Sequence, residues 1–154
     1  MQTLIERVTN FLGFDFGFEQ FSEKAINVLK FAHSEALRSQ NPQVEPEHLL
    51  AGLLADPTTA SAQLLRANGA TLYIETNEHS FESQGNTKLS PKSKFIMELA
   101  LQIVRLRDKK SIGTEHLLWG LVRLAETDKT TLNQLFQFYG IDAETLNNQL
   151  IEVV

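Results

Sequence analysis

Two glutamates and two serines recur at matching places in this sequence, and their side chains could bind a charged ligand. Glu47 and Glu115 each stand near the start of an apolar segment, and Ser22 and Ser90 each precede a longer helical pattern. A carboxylate accepts cationic groups, whereas the free N–H groups of a helix N-terminus attract anions. An anion site beside a carboxylate would suit a zwitterionic group. The alternative is structural, because a first-turn carboxylate interacts favourably with the helix dipole and serine is a preferred N-cap.

These residues belong to an internal repeat. The decapeptides EPEHLLAGLL, from residue 45, and GTEHLLWGLV, from residue 113, match at an offset of 68 positions, which also relates the two serines. Farther along, the offset becomes 71, so three residues are inserted in the second copy within 123–133. A fixed offset indicates two similar structural units. An insertion of this size is typical of a surface connection between helices.

The apolar spacing predicts an all-α fold of two pseudo-symmetric four-helix repeats packed into one domain. Apolar residues recur at helical spacing, and outside residues 14–18 no long stretch alternates as a half-buried strand would. The predicted organisation is an N-terminal extension at 1–18 followed by the domain at 19–154. That domain comprises repeat one at about 21–76, a linker at about 77–88 and repeat two at about 89–152.

Several residues predict where helices begin and how they pack. Pro46 and Thr114 are expected at the start of the second helix of each repeat, as a first-turn proline and an N-cap. A fourth helix of repeat one is expected from about Thr71. Gly52 and Gly120 lie inside apolar helices, where glycine costs about 1 kcal/mol relative to alanine. Their equivalent positions therefore indicate a close approach between helices.

The N-terminal extension carries apolar and aromatic residues outside the repeat. Residues 2–12 place apolar side chains at helical spacing, which predicts a short amphipathic helix. A cluster of aromatic residues follows: Phe11, Phe14, Phe16 and Phe18. Two interpretations remain open. The segment covers the domain's own apolar surface, or it docks on a partner protein, since clustered exposed aromatic residues mark interfaces.

Composition disfavours two classes of binding. The net charge of −5 argues against nucleic-acid binding, which usually needs a basic face. No apolar run approaches the roughly 20 residues that span a bilayer, so no membrane partner is expected. The chain has no cysteine, which removes disulfide and thiol chemistry and fits a reducing compartment such as the cytoplasm.

No catalytic signature is present in the sequence. It contains no G-x-x-x-x-G-K-[ST] phosphate loop, no H-E-x-x-H metal motif and no G-x-S-x-G elbow. His48 and His116 lack metal-ligand spacing and are expected to be held by local hydrogen bonds at helix starts. We therefore expect a protein that is not an enzyme and that has no cofactor and no metal site.

The paired motifs resemble the double Clp N-terminal domain of Clp-type AAA+ unfoldases, with the ClpC class nearest. The resemblance is carried by FSEKAINVLKFAHSEAL followed by EPEHLLAGLL, and by LSPKSKFIMELA followed by IGTEHLLWGLV, over about residues 19–152. It implies an all-α platform that receives substrates and adaptor proteins for an ATP-driven protease. In some similar domains the ligand is phosphorylated arginine. By that resemblance, Glu47 and Glu115 would meet the guanidinium, and Ser22 and Ser90 would lie near the phosphate.

The sequence also resembles stand-alone relatives of these domains. About 18 residues precede the repeats and no ATPase module follows them, as in the ClpT-type accessory proteins of chloroplast Clp protease. The first functional hypothesis is therefore a non-catalytic accessory or assembly subunit that binds the Clp protease core or a Clp unfoldase. The alternative is a module that recruits substrates, adaptors or degradation-tagged peptides, or the N-terminal domain of a longer unfoldase. These roles imply the cytoplasm or the plastid stroma.

Overall fold

Seven α-helices form the part of the chain that the computed structural model describes, which is residues 18–70, 88–128 and 131–154. The first repeat contributes α1 (Glu23–Arg38), α2 (Pro46–Ala55) and α3 (Ala60–Ala67). The second contributes α4 (Pro91–Leu106), α5 (Thr114–Thr127), α6 (Thr131–Tyr139) and α7 (Ala143–Val153). A short 3₁₀ helix (Phe18–Gln20) and two-residue strands β1 (Gln43–Val44) and β2 (Lys88–Leu89) complete the elements. The predicted helical fold is confirmed. The expected fourth helix of repeat one, and most of the linker, lie outside the described residues.

Both repeats use the same close contact between their first two helices. α1 packs against α2, and α4 packs against α5. A Cβ atom at Gly52 would lie 2.6 Å from the Val28 carbonyl oxygen, and one at Gly120 would lie 2.5 Å from that of Ile96. Such distances are shorter than any ordinary Cβ contact, so a side chain would push the helices apart. The predicted close approach at both glycines is confirmed.

Aliphatic side chains from both repeats fill one continuous core. α3 contacts α7, and α2 contacts α6, so the later helices of the second repeat also pack on the first repeat. Phe136 on α6 and Leu146 and Leu150 on α7 are buried there. Among the described helices, none is both long enough and apolar enough to cross a membrane.

Short backbone pairings connect each repeat to the start of the other. β1 pairs in parallel with β2, which aligns Val44 with Leu89, and an isolated parallel bridge joins Phe21 to Ile112. The offset of 68 relates Phe21 to Leu89 and Val44 to Ile112, so the two pairings are equivalent. Two-residue strands are too short to produce an alternating pattern, and the sequence therefore does not predict them.

The expectation that Thr114 caps α5 is wrong. Gly113 is the N-cap residue. Thr114 is the first residue of the helix, and its side chain is buried. The Thr114 hydroxyl oxygen accepts a hydrogen bond from the Ser61 N–H in the other repeat, at 3.5 Å. The cap comes instead from His116, whose Nδ1 accepts from the Gly113 N–H at 2.8 Å.

The expectation that the inserted residues lie in a connection is also wrong. α5 has 14 residues, whereas its counterpart α2 has 10. The helix therefore continues for about one more turn. Leu124 and Ala125 in that turn are buried, so the added turn extends the packed surface of the helix.

Replacement of Gly120 by alanine should destabilise the domain. Overpacking against the Ile96 carbonyl costs about 1–3 kcal/mol, and the better helix propensity of alanine returns about 1 kcal/mol. Because the obstructing atom belongs to the backbone and cannot rotate away, the cost should lie in the upper half of that range. We therefore expect the free energy of unfolding, measured by urea denaturation, to fall by about 1–2 kcal/mol. Asn27→Ala, at an exposed position of α1, is the control and should cause no loss. A Gly120→Ala variant as stable as the original chain would contradict the close-packing interpretation.

Candidate functional site

A surface groove brings Ser22 of the first repeat together with Glu115 of the second. Its volume is ≈ 460 Å³, and Lys24, Thr58 and Gly113 also line it. The groove thus lies between the start of α1 and the start of α5. The two predicted residue types meet at one site, but each repeat supplies only one of them.

Ser22 and Lys24, which line the groove beside the Glu23 carboxylate, have groups that can hold an anion. Ser22 Oγ accepts from the Ala25 N–H at 3.1 Å, which leaves the hydroxyl proton able to donate. The first N–H groups of a helix have no acceptor within it. Lys24 adds an ammonium group, whose Nζ donates to Thr58 Oγ1 at 2.9 Å. Lys24 and Thr58 are not among the predicted site residues, although Lys24 recurs as Lys92 at the repeat offset.

The Glu115 carboxylate, which lines the groove, can bind a cation. Its Oε1 lies 3.3 Å from His116 Nδ1, but that nitrogen already accepts the Gly113 N–H. Two acceptors cannot hydrogen-bond to each other, so the carboxylate keeps its lone pairs for a cation while the imidazole is neutral. A Cβ atom at Gly113 would overlap with the Glu115 carboxylate. The missing side chain at residue 113 therefore makes room for this position of Glu115.

The matching glutamate of repeat one has a different environment. Repeat one has Glu45 at the position that corresponds to Gly113. The Glu45 side chain therefore adds atoms at the place where repeat two leaves room for the Glu115 carboxylate. The Glu47 side chain is 48% exposed, compared with 24% for Glu115. Glu47 therefore faces solvent, and its Oε1 lies 4.0 Å from His48 Nε2.

Ser90 is the predicted N-cap of α4, but it is only 2% exposed. Its Oγ accepts from the Ser93 N–H and donates to Ser93 Oγ, both at 3.1 Å. The Ser93 hydroxyl in turn donates to the Val44 carbonyl at 2.7 Å. Nearby, Lys92 Nζ forms an ion pair with Asp128 at 2.5 Å. The polar groups at this helix start therefore bond to one another within the protein.

Both helix-start histidines are held by local hydrogen bonds, as predicted. His48 Nδ1 accepts from the Glu45 N–H at 2.9 Å, in the same way as His116 accepts from Gly113. Burial lowers the pKa of both imidazoles below the ordinary 6.5, although the neighbouring glutamates act in the opposite direction. A protonated Nδ1 cannot accept a hydrogen bond, so the cap requires the neutral form. The described ranges contain no group of three or more side chains that could hold a metal ion.

Most of the phenylalanines predicted to dock a partner lie outside the described residues. Phe11, Phe14 and Phe16 belong to residues 1–17. Phe18 begins the 3₁₀ helix that leads into α1. A docking role for these four residues stays a prediction.

Comparison with protein families gives a match over most of the chain. The family model described as Clp repeat (R) N-terminal domain matches residues 20–137. A protein named ATP-dependent Clp protease ATP-binding subunit ClpA homolog, from Porphyra purpurea, is 33% identical over 143 residues, which is 88% of this chain and 16% of the relative. Chaperone protein ClpC1, chloroplastic, from Oryza sativa subsp. japonica, is 31% identical over 144 residues, or 89% of this chain and 15% of the relative. The chain therefore spans only a small part of the length of these curated relatives.

Solved structures share the fold. The N-terminal domain of the caseinolytic protease associated chaperone ClpD from Arabidopsis thaliana has a TM-score of 0.61 at 24% identity, covering 90% of this chain and 96% of that one. The Hsp104 N-terminal domain from Candida albicans has a TM-score of 0.63 at 19% identity, covering 88% of this chain and 91% of that one. At these identities the likeness concerns the fold alone.

The domain should lose stability as the pH falls below about 6.5. Because burial keeps the pKa of His48 and His116 low in the folded state, the unfolded chain takes up protons first. The stabilisation is complete above the unfolded pKa of about 6.5 and declines as the pH falls toward the folded-state values. Urea unfolding between about pH 7.5 and pH 5 measures this decline.

A double variant, His48→Ala with His116→Ala, provides the comparison. At neutral pH it should be less stable by about 0.5–1.5 kcal/mol per lost hydrogen bond. Its stability should also depend less on pH, with a remainder from His33, whose pKa is lowered by burial as well. An unchanged pH dependence in the double variant would contradict the proposed role of the two imidazoles.

Proposed function

Because this chain belongs to the Clp repeat (R) N-terminal domain family, we propose that it is a non-catalytic module that recruits protein segments for a Clp unfoldase or protease. The observation that carries the proposal is the groove that joins Ser22 to Glu115. Its lining combines the Lys24 ammonium group and the start of α1 with the carboxylates of Glu23 and Glu115, and groups of both charges suit recognition of a charged side chain. A location in the cytoplasm or the plastid stroma belongs to the same proposal.

The charges of the groove favour a side chain with a cationic and an anionic end. Ser22, Lys24 and the N-terminus of α1 suit a phosphate, and Glu115 suits a guanidinium. Phosphorylated arginine combines these two groups, and it is the ligand implied by the resemblance. We propose one such site per chain, since Ser90 is buried and its hydroxyl is bonded to Ser93.

Loss of the Glu115 carboxylate should weaken binding of a phosphoarginine-containing peptide. A hydrogen bond to a charged group contributes roughly 1.5–3 kcal/mol, so Glu115→Ala should raise Kd by about ten- to a hundredfold. Ser22→Ala should also weaken binding, because it removes a donor to the phosphate. Calorimetric titration of the purified chain measures both effects.

The repeat supplies matched controls for this titration. Glu47→Ala and Ser90→Ala occupy the equivalent positions, and each should change Kd by less than about threefold. The unphosphorylated peptide should bind more weakly than the modified one. Absence of binding by the original chain, or binding that ignores Glu115→Ala, would refute a recognition site in this groove.

A second candidate function is an accessory or assembly subunit that binds the Clp protease core. It is favoured by an exposed aromatic side chain on α6. Phe138 is 68% exposed, and its ring lies edge-on to Tyr139 with the ring centroids 5.5 Å apart. Exposed aromatic residues are a typical anchor in protein–protein interfaces.

Removal of the Phe138 ring should weaken association with a purified Clp protease core if the second candidate is right. An interface anchor loses about 2 kcal/mol or more on truncation to alanine, which raises Kd by roughly thirtyfold. Sedimentation velocity of the mixture measures the association. Ile151→Ala, at an exposed position of α7, is the control. Association that survives Phe138→Ala unchanged would exclude α6 as the contact.

A further inference from the structure

A tight turn after α2 forms one wall of the surface groove between the repeats. Its sequence, Asp56-Pro57-Thr58-Thr59, suits a turn because aspartate is favoured at the first position and proline at the second. The Thr59 N–H donates to the Asp56 carbonyl at 3.2 Å, and the Thr58 N–H donates to Asp56 Oδ1 at 2.9 Å. These bonds fix Thr58 at the edge of the groove, which it lines.

The Thr58 hydroxyl lies between a cation and a carboxylate. It donates to Asp56 Oδ1 at 2.6 Å and accepts from Lys24 Nζ at 2.9 Å. The Thr58 carbonyl is a second acceptor for the same ammonium group, at 3.3 Å. Lys24 is thus only two hydrogen bonds away from Asp56, yet no ion pair joins the two side chains in the part of the chain that the structure describes.

Without this hydroxyl, the Asp56 carboxylate would compete for the ammonium group. Hydrogen bonds from the Thr58 side chain and backbone, together with the charge of Lys24, lower the pKa of Asp56, so the carboxylate is ionised at neutral pH. Lys24 is exposed, and a lysine stem is flexible enough to turn toward it. An ammonium group has three N–H donors. Since Thr58 takes two of them, one is left for a ligand.

The second repeat shows the other arrangement of the same pair of side chains. Lys92 corresponds to Lys24 at the repeat offset, and Asp128 caps the end of α5 as Asp56 caps the end of α2. There, Lys92 Nζ donates directly to Asp128 Oδ2. The positive charge of Lys92 is therefore neutralised by a carboxylate. Lys129 stands where the turn of the first repeat has proline, and it lies outside the described residues.

We propose that Thr58 is a positioning residue, which keeps the Lys24 ammonium group away from Asp56 and available to the anionic group of a ligand in the groove. This inference rests on the proposed recognition of phosphoarginine and deepens it, because it identifies what leaves the charge of Lys24 usable. Glu23 and Glu115 also line the groove. Within the described ranges neither of these carboxylates forms an ion pair with Lys24, whose hydrogen bonds go to Thr58.

Removal of the Thr58 hydroxyl should weaken binding of a phosphoarginine-containing peptide. Thr58→Val nearly keeps the shape of the side chain, but it lets Lys24 pair with Asp56 as Lys92 pairs with Asp128. Because an exposed ion pair is weak, the loss should be partial, and calorimetric titration should give a Kd about fivefold higher. Binding of the unphosphorylated peptide should not weaken, since it offers Lys24 no phosphate. An unchanged Kd for the phosphorylated peptide would overturn the proposal.

A second background separates positioning from direct contact with the ligand. D56N removes the competing charge, and asparagine can still form the turn. Adding T58V to D56N should therefore change Kd by less than about twofold. A fivefold loss on this background would overturn the proposal, because Thr58 would then contact the ligand itself or support the fold. T58S keeps the hydroxyl and should bind as the original chain does, and D128N is the matched control in repeat two, with no effect on Kd expected.

Nuclear magnetic resonance of the lysine ammonium groups tests the positioning without any ligand. A scalar coupling across the hydrogen bond between Lys24 Nζ and the Asp56 carboxylate carbon should be absent in the original chain and present in T58V. The pair of Lys92 and Asp128 should give this coupling in both and is the internal reference. If the original chain binds no phosphoarginine peptide, the proposed recognition fails, and this measurement still decides the role of Thr58. The same Lys24 spectrum in both chains would overturn it.

Discussion

The architecture depends on two backbone hydrogen bonds that fix the first helix of each repeat to the other repeat. The Ser22 N–H donates to the Ile112 carbonyl at 2.9 Å, and the Ser90 N–H donates to the Val44 carbonyl at 3.0 Å. The accepting residue in each case lies just before the second helix of its own repeat. The start of α1 is therefore held beside the start of α5, and a groove lined by Ser22 and Glu115 exists only because both repeats are present.

A second contact between the repeats lies where the third helices end. Gly69 follows α3 with a φ of 104°, and Gly140 follows α6 with a φ of 72°. A Cβ atom at Gly69 would overlap with the Gly140 carbonyl oxygen, so these equivalent glycines of the two repeats lie in contact. The Asp142 N–H donates to the Asn68 carbonyl at 2.9 Å beside them. Positive φ and close approach both favour glycine, so a residue with a side chain is unfavourable at Gly69 and at Gly140.

Sequence reasoning succeeds where the cause is local and fails where it depends on three-dimensional contact. The capping role of Ser22 follows from one hydroxyl and one helix start, and the role of Gly120 follows from a glycine inside an apolar helix. The repeat offset identifies equivalent residues, but it does not say that Ser22 of one repeat lies beside Glu115 of the other. The sequence predicts Thr114 as the cap instead of Gly113, because a histidine that accepts a backbone N–H three residues earlier leaves no recognisable pattern.

Differences between the repeats fall where the backbone contacts place no demand on the side chain. Gly52 and Gly120 must both be glycine because each lies against a carbonyl oxygen. By contrast, Ala25 of repeat one corresponds to Ser93 of repeat two, and that hydroxyl binds Ser90. The Ser93 hydroxyl therefore accepts the proton of Ser90, whereas Ala25 offers Ser22 no such side-chain acceptor. Because the first helix and the start of the second helix are equivalent in both repeats, differences between equivalent residues there separate the requirements of the fold from those of recognition.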